Sequence, residues 1–260
     1  MAARDVEFAH VSFAAPGGQS ILQDVSLRLA AGTTTALLGR SGSGKTTLLR
    51  MVNGLVRPTG GQVLVGGEDV AAMDERGLIA LRRSIGYVIQ ETGLFPHRTI
   101  GENVRLPLEI GGVFAGHFDE AEERVKTALE QVGLAYHDYR ERYPWQLSGG
   151  QRQRAGVARA LVTEPGVLLM DEPFGALDPL TRAEMQTMLR ELLQQVGVTT
   201  LLVTHDLDEA LYLADRVVLM DRGSVVAEMA ADEVLGSASD AMRAYVAATH
   251  RMRDVPGARA

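Results

Sequence analysis

Cysteine is missing from the 260 residues, which excludes disulfides and thiolate metal sites and fits a reducing compartment. Positive charge is in deficit as well. The formal net charge is −7, so the overall basic footprint of a nucleic-acid binder is lacking and no nucleic-acid partner is expected. The arginine groups Arg82-Arg83, Arg140/Arg142 and Arg152/Arg154 are too small to form basic tracts and read as solvated or structural side chains. No run approaches the roughly 18 consecutive apolar residues that a membrane span needs. The start, Met1 to Phe13, carries Arg4, Asp5 and Glu7 in place of the apolar stretch of a signal peptide. These absences point to a cytosolic chain whose membrane role, if it has one, comes through a partner. No internal repeat is visible.

What is present is a strand–helix alternation in a chain long enough to bury a sizeable core, as one large domain or two small ones. Val6 to Phe13 and Ile21 to Leu29 mix apolar and polar residues at short period around Pro16-Gly17-Gly18 and read as an antiparallel pair. Thr33 to Leu38 is a strand running into a glycine loop. Leu48, Val52 and Leu55 follow at helical spacing, with Gly54 and Pro58 as stop signals. Gln62 to Val65 and Ile85 to Ile89 are further strands. From Glu91 to about Gln146 strand-like runs disappear. Loops are expected around Pro96, Pro107 and Gly111-Gly112, then a helix with Val125, Ala128, Leu129 and Val132 on one face. This reads as a helical insert in an α/β domain. Val167 to Met170, Thr199 to Val203 and Val217 to Met220 resume the strands. Met185, Met188, Leu189, Leu192, Leu193 and Val196 form a helical stripe whose methionines read as core. The tail after Gly236, with Arg251, Arg253 and Arg259, has room for one helix. Such alternation implies a mostly parallel sheet with ligands at the carboxyl ends of its strands.

Two segments at those ends carry chemistry. The first is Gly39, Arg40, Ser41, Gly42, Ser43, Gly44, Lys45 and Thr46, with Thr47 adjoining. Its glycines let the backbone turn its N–H groups toward one point, a concavity for a β- or γ-phosphate, and the following helix start adds positive potential. Lys45 reaches phosphate oxygens as a point charge, and the Thr46 hydroxyl suits Mg²⁺. The Lys-Thr pair, the apolar strand before it and the amphipathic helix after it together favour nucleotide binding; a plain strand-to-helix turn is the alternative. The second segment is Val167-Leu168-Leu169-Met170-Asp171-Glu172, four apolar residues ending in two acids. Asp171, at a strand tip beside a triphosphate, is placed to hold Mg²⁺ through water. Glu172 points one position further, where an attacking water would lie, as a general base.

Leu147-Ser148-Gly149-Gly150-Gln151 is identical to the signature of ABC-type ATPases. The resemblance extends over nearly the whole chain in the expected order: phosphate loop, Gln90, signature, Asp171-Glu172, Gly175-Ala176-Leu177-Asp178 and His205. It implies an α/β fold with a P-loop NTPase (RecA-like) core and mostly parallel sheet, an N-terminal antiparallel β subdomain and an inserted α-helical subdomain. The boundaries expected are an ATPase domain over 1–236, with core and antiparallel region at 1–90 and 160–236 and helical subdomain at about 91–159. Residues 237–260 would be a short tail without a regulatory domain. The resemblance implies ATP and Mg²⁺, and ATP bound between two copies, each offering its phosphate loop to one face and its Ser148, Gly149, Gly150 and Gln151 to the other's nucleotide. Gln90 resembles the hinge glutamine that touches Mg²⁺ or water, and His205 the residue that contacts the γ-phosphate. Asp178 resembles the acid that communicates across the dimer. Phe13 falls where the family has an aromatic that stacks on adenine, and stacking is the favoured reading over a core position.

Single-chain motors of this length, without a fused membrane domain, a second motor or a long coiled coil, resemble bacterial importer subunits. The segment Tyr87 to His97, together with Asp171 to Pro179, is similar to the ATPases of glycine betaine, carnitine and choline importers. The partners implied are a second ATPase subunit in a homodimer, transmembrane permease subunits and, indirectly, an extracytoplasmic solute-binding protein. The location implied is the cytoplasmic face of the membrane. Another transport system of the family, or a soluble non-transport member, is the alternative. Leu94-Phe95-Pro96 is either the groove for a permease coupling helix or part of the insert's core.

Overall fold

The computed structural model describes residues 2–90, 92–111 and 118–250. Met1, Glu91, the Gly112 half of the expected Gly111-Gly112 loop and the tail arginines Arg251, Arg253 and Arg259 lie outside the described residues.

Strands β1 (Val6–Ala14) and β2 (Ser20–Leu29) form the antiparallel hairpin, in register Val6 to Leu29 and Phe8 to Leu27. Val6, Phe8 and Val11 on one strand and Leu22, Val25, Leu27 and Leu29 on the other turn inward, while the intervening polar residues face out. β3 (Thr34–Leu38) is buried throughout, and helix α1 (Lys45–Val52) follows the glycine loop. β4 (Gly60–Val65) returns antiparallel along β1, and β5 (Glu68–Asp69) adds a short edge, giving a four-stranded sheet in the order β2-β1-β4-β5. Helix α2 (Glu75–Arg83) starts at Asp74, whose carboxylate accepts the Gly77 N–H at 2.7 Å. It leads to β6 (Ile85–Val88).

Helices α3 (Ile100–Gly111), α4 (Phe118–Gln131), α5 (Tyr136–Tyr139) and α6 (Gly149–Leu161) separate β6 from β7 (Val167–Asp171). Then come α7 (Pro179–Val196), β8 (Thr199–Val203), α8 (Leu207–Leu213), β9 (Arg216–Asp221), β10 (Ser224–Ala230) and α9 (Asp240–His250). The second sheet has six strands in the order β10-β9-β3-β8-β7-β6, with every neighbouring pair parallel except β9-β10. Its central strands are near-continuous apolar runs because both faces are covered. Leu37, Leu169, Leu201 and Val218 face one core with α1 and the four-stranded sheet. Leu168, Met170 and Leu202 face a second core built with α3, α4, α6 and α7. Ala36, Leu38, Val217 and Leu219 meet α8 and Met242 of α9 in a third.

Two expectations are corrected. Pro107 lies inside α3 and not in a loop. Ile100, Val104 and Leu108, each 0–2% exposed, sit at helical spacing and pack against the other helices. Burying each contributes about 1.5–3 kcal/mol, against about 3 kcal/mol for the hydrogen bond and steric room lost at an interior proline. Burial therefore wins. Leu55 does not extend the buried face of α1: the helix stops at Val52, Gly54 turns at φ 65°, and Leu55 is 56% exposed. The Asn53 side chain caps this turn by accepting the Leu55 N–H at 3.1 Å.

Leu129 of α4 is wholly buried. In urea unfolding, Leu129→Ala is expected to lose about 2–5 kcal/mol of stability. Leu55→Ala should stay within about 0.5 kcal/mol of the unmodified chain. Equal losses would contradict the core assignment.

Candidate functional site

The parallel pairing of β3, β8 and β7 brings three chain segments to one edge of the large sheet: the glycine loop after Leu38, Thr204-His205 after Val203, and Asp171-Glu172 at the end of β7. At the start of α1, Gly44 has φ 100°, a conformation that side chains rarely adopt, and a Cβ there would meet Leu22 Cδ2 at 2.6 Å. The turn lets Lys45 fold back, where its Nζ donates to the carbonyls of Gly39 at 2.8 Å and Arg40 at 2.9 Å. Burial pushes the Lys45 ammonium below its usual range, and the charges of Glu172 and Asp171 oppose that shift. A cavity of about 340 Å³ opens over the loop, walled by Ser41 to Thr47, Gln19, Ile21 and Glu172. Backbone amides, a buried ammonium and a helix start around one concavity are a donor set for phosphate oxygens.

The acids sit opposite. The Thr46 hydroxyl donates to Asp171 Oδ1 at 2.9 Å, and the Arg50 guanidinium lies 3.9 Å from Asp171 Oδ2. Arg50 carries no motif of its own in the sequence; its position one helical turn after Thr46 is the signal that places it on this face. Glu172 adopts φ 45°, the left-handed region, at a cost of order 1–3 kcal/mol. Its N–H donates to the Val203 carbonyl at 3.0 Å, which fixes this backbone against β8. Glu172 Oε2 stands 3.4 Å from His205 Nδ1. Gln90 follows β6 in a turn with its side chain exposed. A Cβ on Gly175 would be 3.7 Å from Gln90 Nε2 and 3.9 Å from Glu172 Oε2, so these two side chains flank the same glycine.

Behind His205 lies a polar corner that periodicity could not reveal. The Thr204 hydroxyl donates to Glu209 Oε2 at 2.6 Å, and Asp206 caps α8 by accepting the Asp208 N–H at 2.8 Å. Arg182 of α7 reaches Asp206 and Glu209 at 3.9 and 4.0 Å and donates to the Leu177 carbonyl at 3.2 Å. It thereby links the loop before Asp178 to the loop carrying His205.

Ser148, Gly149, Gly150 and Gln151 form a second helix start and do not line the phosphate-loop cavity. Ser148 caps α6 reciprocally with Gln151: its Oγ accepts the Gln151 N–H at 3.2 Å, while Gln151 Oε1 accepts the Ser148 N–H at 3.0 Å. Gly150 is required by close packing, since a Cβ there would meet Thr181 Cγ2 at 2.4 Å. Asp178 caps α7 by accepting the Thr181 N–H at 3.1 Å, and hydrogen bonds from Thr181 hold its carboxyl below the usual range. The starts of α6 and α7 are thus packed against each other. Phe13 is half-buried against the core beneath the four-stranded sheet and is not among the residues lining the phosphate-loop cavity. Leu94 packs into the helical core, while Phe95, 41% exposed, lines an apolar groove of about 540 Å³ with Ile79, Tyr87, Leu106, Pro107 and Ile110.

Residues 22–175 match the ABC transporter family model. The carnitine transport ATP-binding protein OpuCA of Listeria monocytogenes serotype 1/2a (strain 10403S) is 43% identical over 88% of this chain and 56% of its own. The methionine import ATP-binding protein MetN of Caulobacter vibrioides is 45% identical over 89% of this chain and 69% of its own. Among solved structures, the post-hydrolysis dimer of the ATP-binding cassette MJ0796 bound to ADP and Pi superposes with a TM-score of 0.78 at 33% identity, over 87% of this chain and 98% of that one. The chain belongs to the ABC transporter family, and its fold is that of the ATP-binding cassette. It spans only a little over half the length of the carnitine-transport relative.

Burial pushes the Glu209 carboxyl up, with the Thr204 hydrogen bond and Arg182 offsetting part of the rise. A carboxyl that holds its proton more tightly when folded stabilises the fold at low pH, and that stability is lost as pH rises through the raised value. Glu209→Gln is therefore expected to gain on the unmodified chain as pH increases from about 4, the ordinary carboxylate range. Denaturant midpoints against pH measure this, and a difference independent of pH would refute it.

Proposed function

We propose that this chain is the ATP-binding and ATP-hydrolysing subunit of a membrane transporter, working as a homodimer that closes on two ATP molecules. The observation that carries this reading is the convergence of the phosphate loop, Asp171, Glu172 and His205 at the same ends of the parallel strands, with Ser148 to Gln151 outside the cavity that the loop and Glu172 line. One protomer then binds the triphosphate through Gly39 to Thr47, and the helix start at Ser148 of a second copy covers its other face. Phe13 supplies the adenine platform at the sheet's edge. Asp178, ahead of α7, faces the second copy beside the signature.

In the hydrolytic step Glu172 accepts a proton from the attacking water, and His205, 3.4 Å away, orients Glu172 and the terminal phosphate. Lys45 offsets negative charge on the β- and γ-phosphates. The hydroxyl of Thr46 and the carboxylate of Asp171, 2.9 Å apart, are hard oxygen donors that would hold Mg²⁺, with Gln90, which flanks Gly175 together with Glu172, as a further oxygen donor. Mg²⁺ held there would neutralise phosphate charge; the chain's own residues position water and nucleotide.

Among the described residues no helix is long and apolar enough to cross a membrane. Passage of solute then belongs to permease subunits, with this chain on their cytoplasmic face and a solute-binding protein beyond them. The groove around Phe95 adjoins Ile89, next to Gln90, and exposes Ile79 and Ile110, which suits an amphipathic permease helix in contact with the nucleotide site. Likeness to the carnitine transport protein supports uptake of a quaternary amine such as carnitine, choline or glycine betaine. The equal likeness to a methionine import protein makes amino-acid uptake the second reading. Isolating the native complex and identifying its solute-binding subunit separates the two.

Glu172→Gln is expected to bind ATP and accumulate as a dimer while turnover falls about 10²–10⁴-fold. Size-exclusion chromatography with ATP, beside a phosphate-release assay, tests this, and turnover at the unmodified rate would assign the base elsewhere. Ser148→Arg should retain nucleotide binding to the single chain yet abolish turnover. Full activity in that variant would contradict a site shared between copies.

A further inference from the structure

The carboxyl-terminal helix α9 meets the nucleotide site at one side chain that the reaction scheme above does not use. Met242 is wholly buried with Leu207, Ala210, Val217 and Leu219, which anchors α9 beside β9 and α8. Tyr245 follows one turn later on the same face and packs on that core. Its hydroxyl donates to the main-chain carbonyl of His205 at 3.0 Å. Around it the small residues Ala241, Ala244 and Ala248 leave a cavity of about 770 Å³ between α9, the phosphate loop at Gly39 to Ser43, and His205. The His205 side chain is 65% exposed, so packing around the imidazole does little to aim it. Its reach toward Glu172 then depends on where its main chain is held as well as on the 3.4 Å approach of the two side chains. That main chain is held by Thr204, whose hydroxyl accepts the Asp206 N–H at 3.0 Å, and by Tyr245.

We propose that Tyr245 is a positioning residue for ATP hydrolysis, its hydroxyl fixing the His205 peptide and through it the reach of the imidazole toward Glu172 and the terminal phosphate. The proposal rests on the hydrolytic reading of His205 given above. Burial and the neighbouring Asp206 carboxylate push the Tyr245 phenol up, with the Gly39 backbone opposing, so the phenol keeps its proton to donate at neutral pH. The contact ties α9 to the loop carrying His205 as well as to the cavity beside the phosphate loop.

Tyr245→Phe removes the hydroxyl and keeps the ring. In steady-state ATPase assays on the full chain, kcat is expected to fall about 3- to 10-fold, the scale of one lost neutral hydrogen bond, with KM for ATP unchanged. His205→Ala should remove most turnover, and the double variant Tyr245→Phe/His205→Ala should lose no more than His205→Ala alone. An unchanged kcat in Tyr245→Phe beside an inactive His205→Ala overturns the proposal alone. So does a kcat loss that adds fully to that of His205→Ala, or one accompanied by an equal loss of nucleotide affinity. Turnover at the unmodified rate in His205→Ala overturns the reading of His205, and the proposal with it.

Discussion

Parallel pairing of β3, β8 and β7 is the constraint on which the site depends. These strands begin and end together because each is an apolar run buried on both faces, and their shared register leaves three loops at one edge. The Glu172 N–H bond to Val203 is one more rung of that pairing, carried past the end of β7. It holds a non-glycine residue at positive φ, a strain that a freestanding loop would relax. The side chain that results points toward His205 at the end of the neighbouring strand.

Charge at this edge is balanced locally. Lys45 loses solvation inside the loop and is compensated by two carbonyls and two nearby carboxylates. Asp171 is shared between the Thr46 hydroxyl and the Arg50 guanidinium. A triphosphate entering such a site exchanges one set of oxygen partners for another, which suits a reaction where positioning and electrostatics do most of the work. Arg182 extends this order to the neighbouring loops by bridging Leu177, Asp206 and Glu209.

Two helix starts, at Ser148 and Asp178, pack against each other through Gly150 and Thr181. The start of α7 thus packs directly on the segment Ser148 to Gln151. Through Arg182 the same helix touches the loop that carries His205, and through Tyr245 that loop touches α9. These contacts join the loop carrying His205, the segment Ser148 to Gln151 and helix α9 into one continuous packed path.

The local order was legible in the residues themselves. The glycine loop with Lys45-Thr46, the four apolar residues before Asp171-Glu172 and the cap at Ser148 each follow from short-range chemistry: backbone freedom, burial and capping. So do the hairpin of β1 and β2 and the parallel strands, whose burial on both faces is written in their composition. Other features escaped for physical reasons. Pro107 lies in a helix because tertiary burial of Ile100, Val104 and Leu108 outweighs a local penalty. Arg50, Arg182 and Tyr245 find their partners across strands and helices far apart in the chain, and no spacing rule names the partner in such meetings. The sequence by itself determined which segments turn, cap and bury. Only the tertiary structure decided which side chains face one another, because that depends on strand order and helix packing, where many weak burial terms act together.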